Sequence, residues 1–237
     1  MIQHMKYNIC TLVYLLAGLL LMTTSCKKSN DPYNPEHTKS TLIKDLAGDT
    51  LASMGEGVEG KEQRPFYPFL FRFSDQKQVF LKTAKDSSGF LKTGDWDLCF
   101  GDIYNSLVSC NSGTLKGSPG LGGPGKGAAI VIIDKPYEQV HEAPADDIFI
   151  HEGRPGVGWD PGNGNGWFFY SLSNHLVVPV KNRTFVLKTA DGKFAKLELI
   201  NVYKGNPPLV VDLFWPAPYF TFRYYVQQDG SRNISTL

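Results

Sequence analysis

One segment limits the fold of this chain more than any other. Residues 184–203 (TFVLKTADGKFAKLELINVY) alternate apolar and polar side chains on both sides of Ala190-Asp191-Gly192. Alternation marks a strand, and Asp-Gly between two such runs marks a hairpin. A two-residue Asp191-Gly192 turn would pair Leu187 with Lys196. A three-residue loop would pair Leu187 with Leu197 and Phe185 with Leu199. That arrangement gathers Phe185, Leu187, Ala195, Leu197 and Leu199 on one face and leaves Val186, Lys188, Lys196 and Glu198 on the other. Register follows the apolar face, so the three-residue loop is expected.

The rest of the chain repeats the theme. Phe66, Tyr67, Phe69, Phe71 and Phe73 form an aromatic-rich strand, and Ser74-Asp75-Gln76 turns it into Val79-Phe80-Leu81. Further strands are expected at 96–100, 128–133, 167–170, 176–180 and 219–227, with 103–108 continuing or pairing with 96–100. Residues 41–50 are too few to decide between helix and strand. Two glycine-rich stretches, 112–127 and 153–166, read as loops. No long amphipathic helix is evident, and 24 Gly and 15 Pro favour many turns. The expectation is all-β: a single antiparallel domain over residues 40–237 with long Gly-rich loops.

The first 26 residues supply an address. Lys6 precedes an apolar run from Leu12 to Met22, followed by Thr23, Thr24, Ser25 and Cys26. The run has signal-peptide length and is short of the roughly 20 residues of a membrane span. Small residues directly before a cysteine resemble a bacterial lipobox, which makes residues 1–25 a lipoprotein signal peptide and Cys26 the lipidated residue. Residues 26–39 then form a polar tether; its stretch 27–37 spans about 35 Å when extended. A lipid anchor acquired on export would hold the chain at the cell envelope. In that oxidising setting a disulfide between Cys99 and Cys110 is allowed, provided the chain turns back between them.

With 24 basic and 23 acidic residues the net charge is +1, so no nucleic-acid partner is indicated. Gly120 to Gly127 (GLGGPGKG) misses the phosphate-binding loop at its last position, where Gly127 replaces Ser or Thr. His141-Glu142 and His151-Glu152 are ten residues apart and in an expected loop-and-strand setting, unlike the helical HExxH of a zinc protease. No nucleophile elbow or triad stands out. The sequence therefore offers nothing in favour of an enzyme.

Three segments together resemble the HmuY family of haem-binding outer-membrane lipoproteins. They are Trp96-Asp97-Leu98-Cys99-Phe100; Cys110-Asn111 with the Gly-rich loop to Ala128; and Gly166-Trp167 followed by Asn182-Arg183 and the 184–199 hairpin. The resemblance covers most of the chain after the leader. It implies an all-β haemophore that binds non-covalent b-type haem and passes it to a TonB-dependent outer-membrane receptor, a carrier and not an enzyme. Family members ligate haem through His or Met in loops on either side of the Gly-Trp strand.

Outside the leader the only methionine is Met54, and the histidines are His37, His141, His151 and His175. His175 follows the Gly-Trp strand; His151, with His141 behind it, precedes it. The expected site is therefore His175 with His151 as partner to the haem iron and His141 as reserve. Trp159, Tyr170 and Trp167 are candidates to flank the porphyrin, and Arg154 and Lys181 to face its propionates. The segment before Gly166 is short for the family. It favours an alternative in which the fold has lost haem ligation and binds a glycan or protein. A structural envelope lipoprotein without a small ligand is a further reading.

Overall fold

The computed structural model describes residues 39–236 apart from Gly57 and Glu59. The leader, Cys26, the tether and His37 lie outside the described residues. In chain order the strands are β1 (Thr41–Ala47), β2 (Ala52–Ser53), β3 (Glu62–Gln63), β4 (Phe69–Phe71), β5 (Gln78–Phe80), β6 (Leu98–Gly101), β7 (Leu107–Cys110), β8 (Val131–Ile133), β9 (Gly156–Val157), β10 (Phe168–Tyr170), β11 (Val177–Pro179), β12 (Thr184–Lys188), β13 (Phe194–Asn201) and β14 (Tyr219–Val226). Two short helices interrupt them, α1 (Ala84–Phe90) and α2 (Asp146–His151).

Two antiparallel five-stranded sheets result, in the orders β1-β14-β13-β12-β8 and β5-β4-β6-β7-β9. The all-β expectation holds, and residues 41–47 resolve as strand. Alternation decides which side chains lie between the sheets. Phe69 and Phe71 of β4, Leu98 and Phe100 of β6, and Phe220, Phe222 and Tyr224 of β14 share one core. Their rings meet across it: Phe100 lies 4.8 Å from Phe220, and Phe71 stands edge-on to Phe222 at 5.3 Å. Such pairs add about 0.5–1.5 kcal/mol each beyond the area they bury.

The 184–203 hairpin has the expected three-residue loop, but its register differs by two. Phe185 faces Leu197, and Leu187 faces Ala195. The loop is Ala190-Asp191-Gly192: Thr189 donates its N–H to Lys193 O, and Gly192 takes φ +86° to close the turn. A shift of two preserves the side-chain alternation, so the five expected apolar residues still face the core. The other face is not a solvated one. Val186 joins a second cluster with Val131, Phe149 and Ile234, and Lys196 is fully buried. The Lys196 ammonium donates to the carbonyls of Tyr137 and Val140 at 3.0 and 2.9 Å and sits over the Tyr137 ring. Burial pulls its pKa down to about 8.

Cys99 and Cys110 are free. In the β6–β7 ladder Cys110 is opposite Leu98 and Cys99 opposite Ser109. Cys110 therefore points into the sandwich, whereas Cys99 packs outside it with Leu70, Leu81 and Trp96. Burial pushes both thiols up to about 12.

The 112–127 loop is built around Asn111. Its Nδ2 donates to Thr93 O and Trp96 O at 2.9 and 2.8 Å. Its buried Oδ1 accepts no conventional hydrogen bond. A Cβ at Gly120 or Gly125 would lie 2.2 or 2.4 Å from that oxygen. The glycine hydrogens occupying those directions give Oδ1 two Cα–H contacts. The glycines are thus required by close approach, which accounts for this stretch without any phosphate. Gly120→Ala or Gly125→Ala is expected to cost about 2 kcal/mol or more by forcing the loop off Asn111. A urea midpoint that does not fall would refute this account.

Candidate functional site

The segment resembling the family's W-D strand proves to be structural. Asp97 is buried and accepts the N–H of Phe73 through Oδ2 and of Ala190 through Oδ1, both at 2.8 Å. One carboxylate thus ties β4 to the loop of the β12–β13 hairpin. Burial raises its pKa, and the two N–H donors oppose that shift. Trp167 is also structural. It is buried in the core and donates Nε1–H to Ser106 O at 2.7 Å, so it does not offer a porphyrin its face.

The 153–166 loop is fixed from within. Asp160, 1% exposed, accepts the N–H groups of Gly162, Asn163 and Gly164 through Oδ1. Its Oδ2 meets Arg183 at 2.6 Å, and Arg183 also reaches Asp134 and the Gly166 carbonyl. Burial alone would raise the Asp160 pKa; Arg183 and the loop amides outweigh it and hold it at about 2. This anchor shapes a cavity of about 420 Å³ lined by Ile132, Asp134, His151, Glu152, Arg154 and Asn165, among others. His151 ends α2, so the setting of this His-Glu pair is helical. Asp146 and Asp147 in the first turn and His151 in the last suit the helix dipole. Arg154 is engaged by Asn165 Oδ1.

His175 lies elsewhere, in the turn between β10 and β11, at φ +58°. It is exposed and does not line the cavity that contains His151. Its Nδ1 is 2.9 Å from the Tyr170 hydroxyl. When Nδ1 carries the proton and donates it to that oxygen, Nε2 presents a lone pair, which is how a ligating histidine is oriented. Two further phenols are close. Burial pushes the pKa of Tyr104 and Tyr203 up, and Tyr170 raises both further. Tyr203 Oη also accepts the N–H of Val177 at 2.8 Å, fixing the base of the hairpin. Tyr104 and Tyr203 escaped the sequence reading because nothing in the sequence joins them to residues 170–175.

His141 is exposed and uses its carbonyl to hold Ile234, beside the C-terminal segment. Trp159 and Lys181 are exposed. Met54 is also exposed, in an apolar groove with Pro65, Phe66 and Ile103. Among the described residues, no group of three or more His, Cys, Asp or Glu is placed to hold a metal ion, and no helix is long and apolar enough to cross a membrane.

No protein-family model matches the chain, and no curated protein matches it. Among solved structures it is similar to a protein from Bacteroides vulgatus described as HmuY-like and heme-binding, at 14% identity and a TM-score of 0.38, covering 83% of this chain and 96% of that one. It is also similar to a protein from Bacteroides fragilis described as a lipoprotein, at 11% identity and a TM-score of 0.35, covering 83% and 93%. A third is the apo form of an HmuY analog from Tannerella forsythia, at 15% identity and a TM-score of 0.33, covering 81% and 96%.

The Asp160 anchor predicts a pH dependence. Its folded pKa of about 2 lies below the ordinary 3.8. The stability it contributes is therefore complete above about pH 4 and is lost as pH falls toward 2, for a total of about 2–3 kcal/mol. Urea unfolding between neutral pH and pH ~2.5 should show this fall. The fall should be smaller in Asp160→Asn, which starts less stable.

Proposed function

We propose that this chain is a lipid-anchored haem carrier of the bacterial cell surface, with His175 as an axial ligand. The carrying observation is the Tyr170–His175 pair, an exposed histidine held through one ring nitrogen so that the other is left for a ligand. The aromatic surroundings suit a flat, largely apolar ligand, and the motif order in the sequence supports the same reading. His175 would supply the iron ligand, with Tyr170 setting its tautomer. A second ligand would come from His151, with His141 in reserve, if the loops between them close. Cys26 would hold the carrier at the outer membrane, and a TonB-dependent receptor would take the haem inward. The role is that of a carrier, not an enzyme.

Haemin titration of the purified protein tests the site. A saturable Soret shift is expected, weakened at least about tenfold in His175→Ala and lost in the His175→Ala, His151→Ala double variant. An unchanged shift in the double variant would overturn the ligand assignment. Lipid labelling in a bacterial host should disappear in Cys26→Ser; persistence of the label would overturn the anchor.

The cavity beside His151 favours a second reading. Asp134, Glu152, Arg154 and Asn165 give it a polar lining of the kind a glycan would use. Absence of any haemin response, together with glycan binding weakened by Glu152→Gln, would select that reading.

A further inference from the structure

Residues 134–152 (DKPYEQVHEAPADDIFIHE) leave the sheet after β8 and rejoin it at Arg154. The ends of this segment are pinned together. Ile130 N–H donates to Arg154 O at 2.7 Å, and Arg154 N–H to Ile130 O at 2.9 Å. Between those ends the segment joins neither five-stranded sheet; it holds one 3-10 turn, Tyr137–Gln139, and α2. It is a loop with a closed base, laid over the outer face of the β1-β14-β13-β12-β8 sheet.

Its fastening is light. Val140, Ala143 and Phe149 pack on Val131, Val186, Phe194 and Ile234, a cluster much smaller than the core between the sheets. Four ion pairs surround them: Asp134–Arg183, Glu138–Arg223, Asp146–Lys188 and Asp146–Arg232. The segment supplies every carboxylate, each between 39% and 68% exposed, and pairs that wet add little. Two backbone bonds run to the C-terminal segment, Ala143 N–H to Arg232 O and Ile234 N–H to His141 O. Thr184 Oγ1 also donates to Lys135 O, and Arg232 to Pro144 O. Breaking these contacts leaves both sheets and the main core intact, which marks the segment as a unit of lower local stability.

Lys196 lies beneath it, 0% exposed. Its ammonium is bonded to the carbonyls of Tyr137 and Val140 and sits over the Tyr137 ring, all on this segment. The charged and titratable groups around it are Glu198 on its own strand, Arg223 and Tyr225 on β14, and Lys188 on β12. From above come Tyr137, Glu138 and His141, with Arg232 beyond them. Both nearby carboxylates, Glu138 and Glu198, are engaged by Arg223. Lys196 is thus a buried cation held by neutral acceptors, a charge that water would solvate better. Covering it removes that water, and uncovering it lets the water return.

We propose that residues 134–152 are a flap that lifts as a unit about the Ile130–Arg154 bridge, with Lys196 as its proton-sensitive latch: a charged Lys196 favours the lifted flap and a neutral one the closed flap. Asp134 from one end of the flap and His151 and Glu152 from the other line the same cavity, so lifting reshapes it. Burial sets the sign. Under the closed flap Lys196 is held at about 8, against an ordinary 10.5. The cost of covering its charge is therefore complete below about pH 8 and fades as pH rises toward 10.5. Between pH 7 and pH 9 the lifted fraction should fall about tenfold. The inference is independent of haem.

Native-state hydrogen exchange of the purified protein tests it, with rates corrected for the intrinsic acceleration of exchange by base. The amides of Ala143 and Ile234 bridge the flap and the C-terminal segment, so they report lifting. Their opening equilibrium should be about tenfold lower at pH 9 than at pH 7, and equal at the two pH values in Lys196→Met. Amides of Ile130, Arg154 and β13 should stay more protected throughout. Opening that does not change with pH, a pH dependence that persists in Lys196→Met, or exchange of β13 together with the flap overturns the proposal. Titration of the Lys196 ammonium by NMR in the wild-type protein needs no variant. A midpoint well below that of an exposed lysine is expected, and an ordinary lysine midpoint overturns the latch.

Discussion

The structure depends on two small sheets being locked face to face. Neither is wide, and several strands are only three or four residues long. Short strands supply few ladder bonds, so contacts between the sheets must supply the cohesion. The rings of Phe69, Phe71 and Phe100 on one sheet and Phe220, Phe222 and Tyr224 on the other provide it. Asp97 adds a directional link, because its two oxygens accept N–H groups from β4's continuation and from the β12–β13 loop. Tyr224 adds another by donating its hydroxyl to Phe73 O. Aromatic packing sets the spacing, and these buried hydrogen bonds set the alignment.

The same residues explain why a resemblance can be clear while the ligand chemistry is not. Trp96-Asp97, Asn111 with its glycines, and Arg183 all turn out to be packing devices. Asp97 links strands, Asn111 holds the 112–127 loop, and Arg183 neutralises Asp160. Positions of this kind tolerate little change in size or hydrogen bonding. His175, His151 and His141 are all exposed, and none of these packing contacts depends on their imidazoles.

Most of the strands were legible because alternation and turn chemistry agreed. The hairpin face was read correctly even though the register was off by two, since that shift does not exchange faces. Its other face is covered by Tyr137, Val140 and Phe149, a tertiary event that leaves no local trace. α1 had a signal, the Thr83-x-x-Asp86 capping box, yet Ser87, Ser88 and Gly89 inside it obscure a helix. α2 is a six-residue helix too short for periodicity to reveal. In 204–218 the sequence conceals the exposure of Leu209, Val211 and Phe214, since Leu-Val-Val and Leu-Phe-Trp read as buried strand. Only the surrounding prolines hint that they cannot lie within a ladder.

Strand direction places two exposed features at one end of the described fold. Lys39, the first described residue, donates its N–H to Thr236 O, and Thr41 pairs with Tyr224. At the other end of the same ladder Ala47 pairs with Tyr219, directly after the 204–218 loop. A seven-residue strand separates the two ends by roughly 20 Å. Tyr203 sits at the far end, where its hydroxyl holds the hairpin bearing Tyr170 and His175. The exposed histidine turn and the exposed apolar loop therefore gather at the end away from Lys39.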